Sequence, residues 1–472
     1  MNRLLVLAVS GAGIVAALFA LVAAESPRAV AITTGSILVA VCLAGVLHHG
    51  SAQGRRHLFS PPVLILGYIT IGIGVKGLTD LFTAETKISG VVDPTGPDFA
   101  WLLNSVFLHT LLGVLALLLG YRLAAPARRG APCTPAPALD PARLRVALGV
   151  AVAITIAAVA IFVSRLGMVI LTDPGFVAVE GTFGLFWLYP LMYVSIFAWG
   201  LPIVNDWAAG RRARRWHLAG LCLTSALVYT LTSSKAALIT AVLLLVVCRH
   251  YALRPVRMWT VAFLVTAFLL MLPVLYLHRA VGVSPELITR LDWRTLTAGL
   301  QIFLSRAYLA DSFGAVLLHT PRVYPYRYGA PWLELFYFWI PRAWWPAKPV
   351  TFSIGFGETY FSSYEQGRLS FISPTLTGDA YINFGTVGIA LVFLLIGVLL
   401  RRWYELTVGD RPRPETLLLY AASVYHIASL PEQTVAITGS LFLSYLGPVA
   451  LLVLLARGRR SWPEVPPVAS PG

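Results

Sequence analysis

The residue types best suited to chemistry are concentrated between positions 279 and 381 of the chain. This stretch holds nine of the 36 Lys and Arg residues and five of the 13 Trp residues. Several of its cations stand beside Pro or Tyr, as in Pro321-Arg322 and Tyr326-Arg327-Tyr328. Arg presents a planar fork that matches phosphate oxygens, and aromatic faces stack on the apolar faces of sugar rings. The stretch therefore predicts a site for an anionic ligand that contains sugar.

Individual roles follow from this pattern. We assign the anion to Arg279, Arg306 and Arg342, with Lys348 in support. Asp379 stands where the stretch meets the next apolar run, and two roles are open to a carboxylate there. It pairs with a neighbouring arginine, or it acts as a general base whose ionisation is set by nearby cations and burial.

Other residues of the predicted site have supporting roles. Glu358 is the second candidate for the base, and four tryptophans would anchor the stretch or stack on sugars: Trp332, Trp339, Trp344 and Trp345. Further ligand contacts are expected from these polar residues: Lys235, Arg322, Arg327, Glu358 and Asn383. Lys235 ends the run Ser233-Ser234-Lys235, which is either a simple turn with an interfacial lysine or a cation with two hydroxyls facing a lipid head group.

Three other motifs are better explained by structure. Gly72-Ile-Gly74-Val-Lys-Gly77 spells a dinucleotide-binding fingerprint, but it lies inside an apolar run and suits close helix packing instead. The imidazoles of His48, His49 and His57 lack the Cys or carboxylate companions of a metal site. His109, in the middle of an apolar run, is expected to hydrogen-bond a neighbouring helix.

The elements that position these residues are apolar helices. The chain is 57% hydrophobic and 12% charged, with a mean hydropathy of +0.76. Continuous runs of about 20 apolar residues predict transmembrane helices, not the alternating strands of a barrel. We predict an all-α polytopic membrane protein with about twelve transmembrane helices. The spans are expected at 4–24, 28–48, 61–79, 100–121, 146–164, 183–204, 217–232, 235–249, 258–278, 381–400, 415–430 and 434–456.

The distribution of Lys and Arg predicts the orientation. Alternate connections and the chain ends hold 22 of these cations, whereas the short opposite connections and the helix ends beside them hold five; the other nine lie in 279–381. The positive-inside rule then places both termini in the cytoplasm. Three regions result: helices 1–9 with short loops (1–278), a large extracytoplasmic loop (279–380), and helices 10–12 with a cytoplasmic tail (381–472). Within the loop, 296–319 is expected to be a helix on or dipping into the outer face, because spanning would bury two charges.

Composition also limits the function classes. The net charge of +15 suggests nucleic acid, but the excess consists of short Arg clusters between apolar runs, as topology requires. Four cysteines outside any paired motif imply no disulfide framework. The sequence has no CxxC, HExxH or DxD motif, so we expect neither a metal nor another cofactor.

Two blocks resemble the oligosaccharide repeat-unit polymerases, also called O-antigen polymerases. These are 336–349, with Ile340-Pro341 and the run Trp345-Pro-Ala-Lys-Pro349, and 378–388, Gly-Asp-Ala-Tyr-Ile-Asn-Phe-Gly-Thr-Val-Gly. Asp379 replaces the usual Glu of that family, which shortens the reach of the carboxylate. Ser234-Lys235 is similar to a Ser-Arg turn of these proteins and of the related ligases, with Lys in place of Arg.

The resemblance implies a metal-independent glycosyltransferase of the GT-C type. It would extend a polysaccharide on undecaprenyl diphosphate at the outer face of the bacterial cytoplasmic membrane, alongside flippase and chain-length proteins. Asp379 would be its base, and Arg279, Arg306 and Arg342 would stabilise the leaving diphosphate. One alternative is a ligase that transfers finished glycan to another acceptor. Another is a transporter or flippase of lipid-linked sugars, which predicts ionisable residues inside the membrane, whereas here they concentrate in the loop.

Overall fold

The protein is represented by a computed structural model. It describes residues 26–51, 57–83, 92–124, 139–167, 169–172, 185, 187–281, 309–338, 340, 344–349, 352–360, 372–409 and 412–457. Regular structure in these residues is helical throughout, and they contain no strand. The predicted first span, 4–24, lies outside them.

Thirteen helices of eight or more residues organise the described chain. In order they are α1 Pro27–Ser51, α2 Pro61–Thr83, α3 Pro97–Leu123, α4 Pro141–Leu166, α5 Leu188–Ala208, α6 Arg215–Thr232, α7 Ala236–Ala252, α8 Met258–Val281, α9 Leu309–His319, α10 Phe352–Tyr360, α11 Thr375–Thr407, α12 Pro414–Ala428 and α13 Val435–Ala456. A helix occupies the position of each of the other eleven predicted spans. Seven are long and apolar enough to cross a membrane, namely α1 to α5, α11 and α13. This arrangement is consistent with a polytopic membrane protein.

The helix boundaries follow from local sequence. Five helices begin at a proline, whose missing N–H is not needed in the first turn. Asp140 caps α4 by accepting a hydrogen bond from the Ala142 N–H, and Thr434 caps α13 in the same way through the Ile437 N–H. These signals place the starts of the helices without help from tertiary contacts.

Among the described helices, α3 and α11 make the most extensive contact, and they run parallel. His109 of α3 lies beside Thr386 of α11, while Tyr121, one turn from the end of α3, lies under Arg401 near the end of α11. Parallel packing is what the predicted alternation of spans requires, since both segments are expected to run inward. The helices approach closely where Gly397 faces the backbone of Leu117.

Replacing Gly397 with Ala is expected to destabilise the fold. The new Cβ would overlap the Leu117 carbonyl oxygen and lie 2.9 Å from the Tyr121 nitrogen, and backbone atoms cannot rotate away. Overpacking of this kind costs about 1–3 kcal/mol. We expect a lower thermal unfolding midpoint for the detergent-solubilised protein. Gly149→Ala in α4 is the matched control, because nothing lies within 4 Å of its Cβ position; equal losses in both variants would contradict the interpretation.

The glycines of α2 also serve close packing, as the sequence indicates. Gly72 faces Leu309, Gly74 faces Val39, and Gly77 faces Phe107. Around the first two glycines the helix widens into a π-helical segment, Thr70–Val75. These contacts fix α2 against α1, α3 and the start of α9.

The helix predicted for 296–319, on or dipping into the outer face, is described from 309 onward as α9, which lies within the helix bundle. The residues from 309 to 316 are all buried, and they pack against α2, α3 and α11. Phe313 contacts the His109 ring edge-on, with the centroids 6.0 Å apart. Apolar side chains around the helix explain its burial, although Asp311 is buried with them. The long connection therefore reaches into the helix bundle.

Candidate functional site

The candidate site is built around a break in α11. Phe384 and Gly385 leave the helical conformation, and Gly385 has a φ of 63°, which glycine adopts without steric cost. The break frees two carbonyl groups from the helix. The Ile382 oxygen accepts from the Arg327 N–H at 2.9 Å, and the Asn383 oxygen accepts from the Tyr328 N–H at 3.3 Å. Main-chain atoms thereby hold the chain around Arg327 against α11. We call residues 322–337 the docked segment.

The docked segment contains a tight turn. Tyr328 and Gly329 both have left-handed φ values, 49° and 85°. The turn directs the Gly329 N–H to the Asn383 Oδ1 at 2.7 Å. Asn383, predicted to contact the ligand, is fully buried and instead holds this turn.

Asp379 ties the docked segment to two helices. Its Oδ2 accepts from the Trp332 Nε1–H at 3.0 Å and from the Val435 N–H at 2.8 Å. Its Oδ1 accepts from Asn383 Nδ2 at 3.2 Å. The carboxylate is fully buried and joins the docked segment, α11 and the start of α13. A carboxylate held by three donors is suited to keeping these three parts of the chain in place.

Pairing with an arginine is one of the two roles that the sequence leaves open for Asp379. None of the ion pairs formed within the described residues involves Asp379. Among the described residues its partners are hydrogen-bond donors.

Glu334 is a second buried acid beside Asp379, and sequence reasoning missed it. It begins the short helix Glu334–Tyr337, which packs on α13 through Leu335 and Gly439. Its side chain is 1% exposed, with Oε2 accepting from the Phe352 N–H at 3.1 Å. Oε1 has no hydrogen-bond partner among the described residues. Burial raises the pKa of Glu334 to about 7, and the neighbouring Asp379 carboxylate adds to the rise.

A carboxyl group with that pKa can exchange a proton near neutral pH. Lys348 limits the rise in the pKa of Glu334 through its positive charge. The Lys348 ammonium group donates to the backbone oxygens of Phe338 at 2.5 Å and Ile340 at 3.0 Å, and its side chain is buried. Lys348, predicted to support an anionic ligand, holds the backbone of its own loop and faces Glu334.

The exposed side of the docked segment is cationic and aromatic. The Arg322 and Arg327 side chains are exposed, and neither makes an ion pair with any described residue. The Tyr326 ring lies 6.3 Å from Tyr328 and 6.2 Å from Tyr381. Guanidinium groups without carboxylate partners, beside aromatic faces, suit phosphate and sugar. We call Arg322, Tyr326, Arg327, Tyr328 and Tyr381 the Arg–Tyr face.

His109 supports this face from within α3. Its Nε2 lies 3.0 Å from the Thr386 hydroxyl, just past the break in α11, and its ring meets Tyr381 edge-on at 5.5 Å. The predicted hydrogen bond to a neighbouring helix is confirmed.

The other predicted residues are placed as follows. Arg306, Trp339 and Arg342 lie outside the described residues; Arg279 and Glu358 lie in α8 and α10, and their side chains are likewise outside them. Trp344 and Trp345 are exposed, and Trp345 packs against Tyr337 with ring centroids 5.8 Å apart.

Lys235 lies elsewhere in the bundle, at the tip between α6 and α7. Ser233 there takes a left-handed φ of 51°, and the Tyr193 hydroxyl of α5 donates to the Ser234 hydroxyl at 3.4 Å. The tip is held by α5, whereas Asp379 is held by the docked segment and α13.

Ionisable residues are not confined to the long loop. Asp80 of α2 is buried between helices and pairs with Lys76. The sequence argument against a transporter relied on ionisable residues being in the loop. The buried Asp80–Lys76 pair weakens that argument.

One sequence signal could have identified Glu334. It is the only acid between Asp311 and Glu358, and it stands within the aromatic run that begins at Trp332. A single acid among large apolar side chains is a candidate for a shifted pKa. The docking of that run inside the bundle was not visible from the pattern.

Comparisons with protein-family models, with curated proteins and with solved structures found no match to this chain.

Proposed function

We propose that the protein is a glycosyltransferase that polymerises oligosaccharide repeat units carried on a lipid diphosphate. The observation that carries the proposal is the Arg–Tyr face, which lies on the break in α11 with two buried acids behind it. Its guanidinium groups suit a diphosphate, and its phenol rings suit sugars. The proposed product is a surface or exported polysaccharide.

The proposed setting is the bacterial cytoplasmic membrane. Twelve spans with both termini in the cytoplasm would place the 279–380 loop, and with it the Arg–Tyr face, on the outer side. Undecaprenyl diphosphate would be the carrier, with a flippase supplying the repeats. The parallel packing of α3 and α11 supports this alternation of spans, and a GT-C-type architecture is part of the proposal.

The proposed reaction is a direct displacement. An acceptor hydroxyl oxygen forms a bond to the donor's anomeric carbon while the bond from that carbon to the diphosphate oxygen breaks. Glu334 takes the hydroxyl proton, and Arg322 and Arg327 stabilise the charge that develops on the leaving diphosphate. One displacement inverts the anomeric centre. Arg279, Arg306 and Arg342 remain proposed partners of the diphosphate.

The carrier lipids of a strain lacking the protein test the assignment. Accumulation of single lipid-linked repeats on the outer side is expected. Accumulation of long lipid-linked chains would instead indicate a ligase, and repeats retained on the inner side would indicate a flippase. An unchanged lipid profile would reject all three functions.

Replacing Arg322 and Arg327 together with Gln is expected to reduce polymer formation about 10- to 100-fold, since two charge-assisted contacts to the diphosphate are lost. Both side chains are exposed, so the protein level should not change. Polymer length and amount, measured by gel electrophoresis, give the readout. Arg165→Gln, which removes a cation near the end of α4, serves as the control. Normal polymer from the double variant would remove the Arg–Tyr face from the site.

A further inference from the structure

A second group of basic side chains gathers at the opposite end of α3 and α11. His48 and His49 lie in the last turn of α1, Arg122 in the last turn of α3, His57 just before α2, and Arg401 near the end of α11. We call these five residues the histidine–arginine cluster. None of them has a role in the proposed glycosyl transfer.

Contacts through one tyrosine join the cluster into a single site. The His48 and His49 rings are 5.2 Å apart, and His49 meets Tyr121 at 5.7 Å. The Arg401 guanidinium lies 5.1 Å from the centre of the same Tyr121 ring. Arg122 follows Tyr121 directly in the last turn of α3. The basic groups therefore converge.

A buried hydroxyl network anchors the cluster. His57 Nδ1 lies 3.1 Å from the Tyr404 hydroxyl, which lies 3.1 Å from the Tyr251 hydroxyl of α7. Tyr404 is buried, so this network connects His57 to both α11 and α7. The cluster is built on rigid helix ends.

The charge balance of the cluster favours an anion. Arg401 Nε donates to Glu405 Oε1 at 2.5 Å, so one arginine already has a carboxylate partner. Arg122 has no ion-pair partner among the described residues, and both Arg122 and His48 are exposed to an incoming ligand. Each neutral imidazole can donate one hydrogen bond to an anion.

We infer that the histidine–arginine cluster binds a phosphate group, a phosphomonoester or diphosphate carried by a membrane lipid. Phosphate is the anion that combines several acceptor oxygens with more than one negative charge. A lipid is the favoured source because large apolar side chains flank the cluster. Leu123 follows Arg122 and is 67% exposed, and Leu406 follows Glu405 and is 73% exposed. Acyl chains would lie along these leucines while the head group meets the cations.

A simpler explanation of lipid binding here is non-specific attraction, since any basic surface of a membrane protein attracts acidic lipids. Arg254, in the connection after α7, provides a matched control because it is exposed and belongs to no part of the cluster. A built site predicts that loss of cluster residues matters far more than loss of an equal charge at Arg254.

Binding to the full-length protein in neutral detergent tests the inference. The probes are dioctanoyl phosphatidic acid, its phosphatidylcholine counterpart and inorganic pyrophosphate, with the thermal unfolding midpoint as readout. We expect phosphatidic acid to bind the wild-type protein about tenfold more tightly than it binds His48→Gln/His49→Gln or Arg122→Gln, since the first variant loses two imidazole hydrogen-bond donors and the second loses a charge-assisted contact. Arg254→Gln should bind as the wild type does, and phosphatidylcholine should bind none of them tightly.

The outcomes separate the alternatives. Pyrophosphate binding that is lost in the same variants, without lipid binding, would support a phosphate site filled from solution. Equal weakening in Arg254→Gln, or unchanged affinity in both cluster variants, would overturn the inference. Because the test measures binding and not polymer, it stands whether or not the protein is a polymerase.

Discussion

Replacing Glu334 with Gln is expected to abolish polymer formation while the protein still folds. The substitution keeps the shape of the side chain and an oxygen that can accept from the Phe352 N–H. It removes the group that we propose takes the acceptor proton. General base catalysis contributes about 10²–10⁴-fold, so residual transfer should fall by that amount. Transfer of a lipid-linked repeat by the purified protein is the measurement.

The pH dependence gives this prediction a second readout. A base must be deprotonated, so wild-type transfer should rise with pH through about 7, the pKa to which burial raises Glu334. The Glu334→Gln variant should lose this rise. Full activity of the variant, with the same pH profile, would show that Glu334 does not exchange the proton.

The same carboxyl group predicts the direction of a stability change. Its pKa is raised on folding from 4.5 to about 7, so the proton favours the folded protein. Its contribution is complete below about pH 4.5 and is lost as the pH rises through about 7, amounting to roughly 3 kcal/mol. Glu334→Gln should therefore be more stable than the wild type at pH 8, and the two should converge near pH 5. A variant that is inactive and more stable cannot owe its inactivity to unfolding.

Replacing Asp379 with Ala is expected to cause the largest loss of stability. Trp332 Nε1–H and the Val435 N–H would lose their shared acceptor, and Asn383 would lose one of its two contacts to Asp379. Leaving buried donors unpaired costs about 1–3 kcal/mol for each group. We expect a lower unfolding midpoint and faster proteolytic cleavage between positions 327 and 337, because this segment is no longer held.

Two further variants separate positioning from catalysis at Asp379. Trp332→Phe removes one of the same hydrogen bonds and should have a smaller effect in the same direction. Asp379→Asn retains an acceptor oxygen but has no useful basicity. The contrary result would be an Asp379→Asn protein that folds with wild-type stability yet loses the transfer activity that normally increases with pH. That result would show that Asp379, and not Glu334, is the base. Retained activity in Asp379→Asn is the expected result.

Sequence reasoning succeeded where one local property decides the structure. Apolar runs placed eleven helices, whereas the break of α11 at Gly385, inside the block 378–388, was not predicted. The helix itself is longer than predicted, Thr375–Thr407 instead of 381–400, because buried polar residues before the break are also helical. Hydropathy alone does not assign these buried polar residues to the helix.

The site was harder to predict because its contacts join distant parts of the chain. Asp379 meets Trp332 and Val435 through geometry that no spacing rule encodes. Charge composition suggested arginine partners for Asp379, and main-chain and indole donors occupy those positions instead. The burial of α9 has the same origin, since its apolar side chains fit either a membrane surface or a helix interior.

The docking of the Arg–Tyr face through main-chain hydrogen bonds bears on how this protein can diverge. The Ile382 and Asn383 carbonyl groups recognise the backbones of Arg327 and Tyr328, whatever side chains these positions carry. Under the proposed function, substitutions at Arg327 and Tyr328 would alter which ligand is accepted without detaching the segment. By contrast, Gly385 and Asn383 determine the docking itself and leave little freedom to vary. Related chains should therefore vary at the exposed residues of the Arg–Tyr face and keep Gly385 and Asn383 unchanged. New ligand specificities could then arise without a change in the docking of the segment.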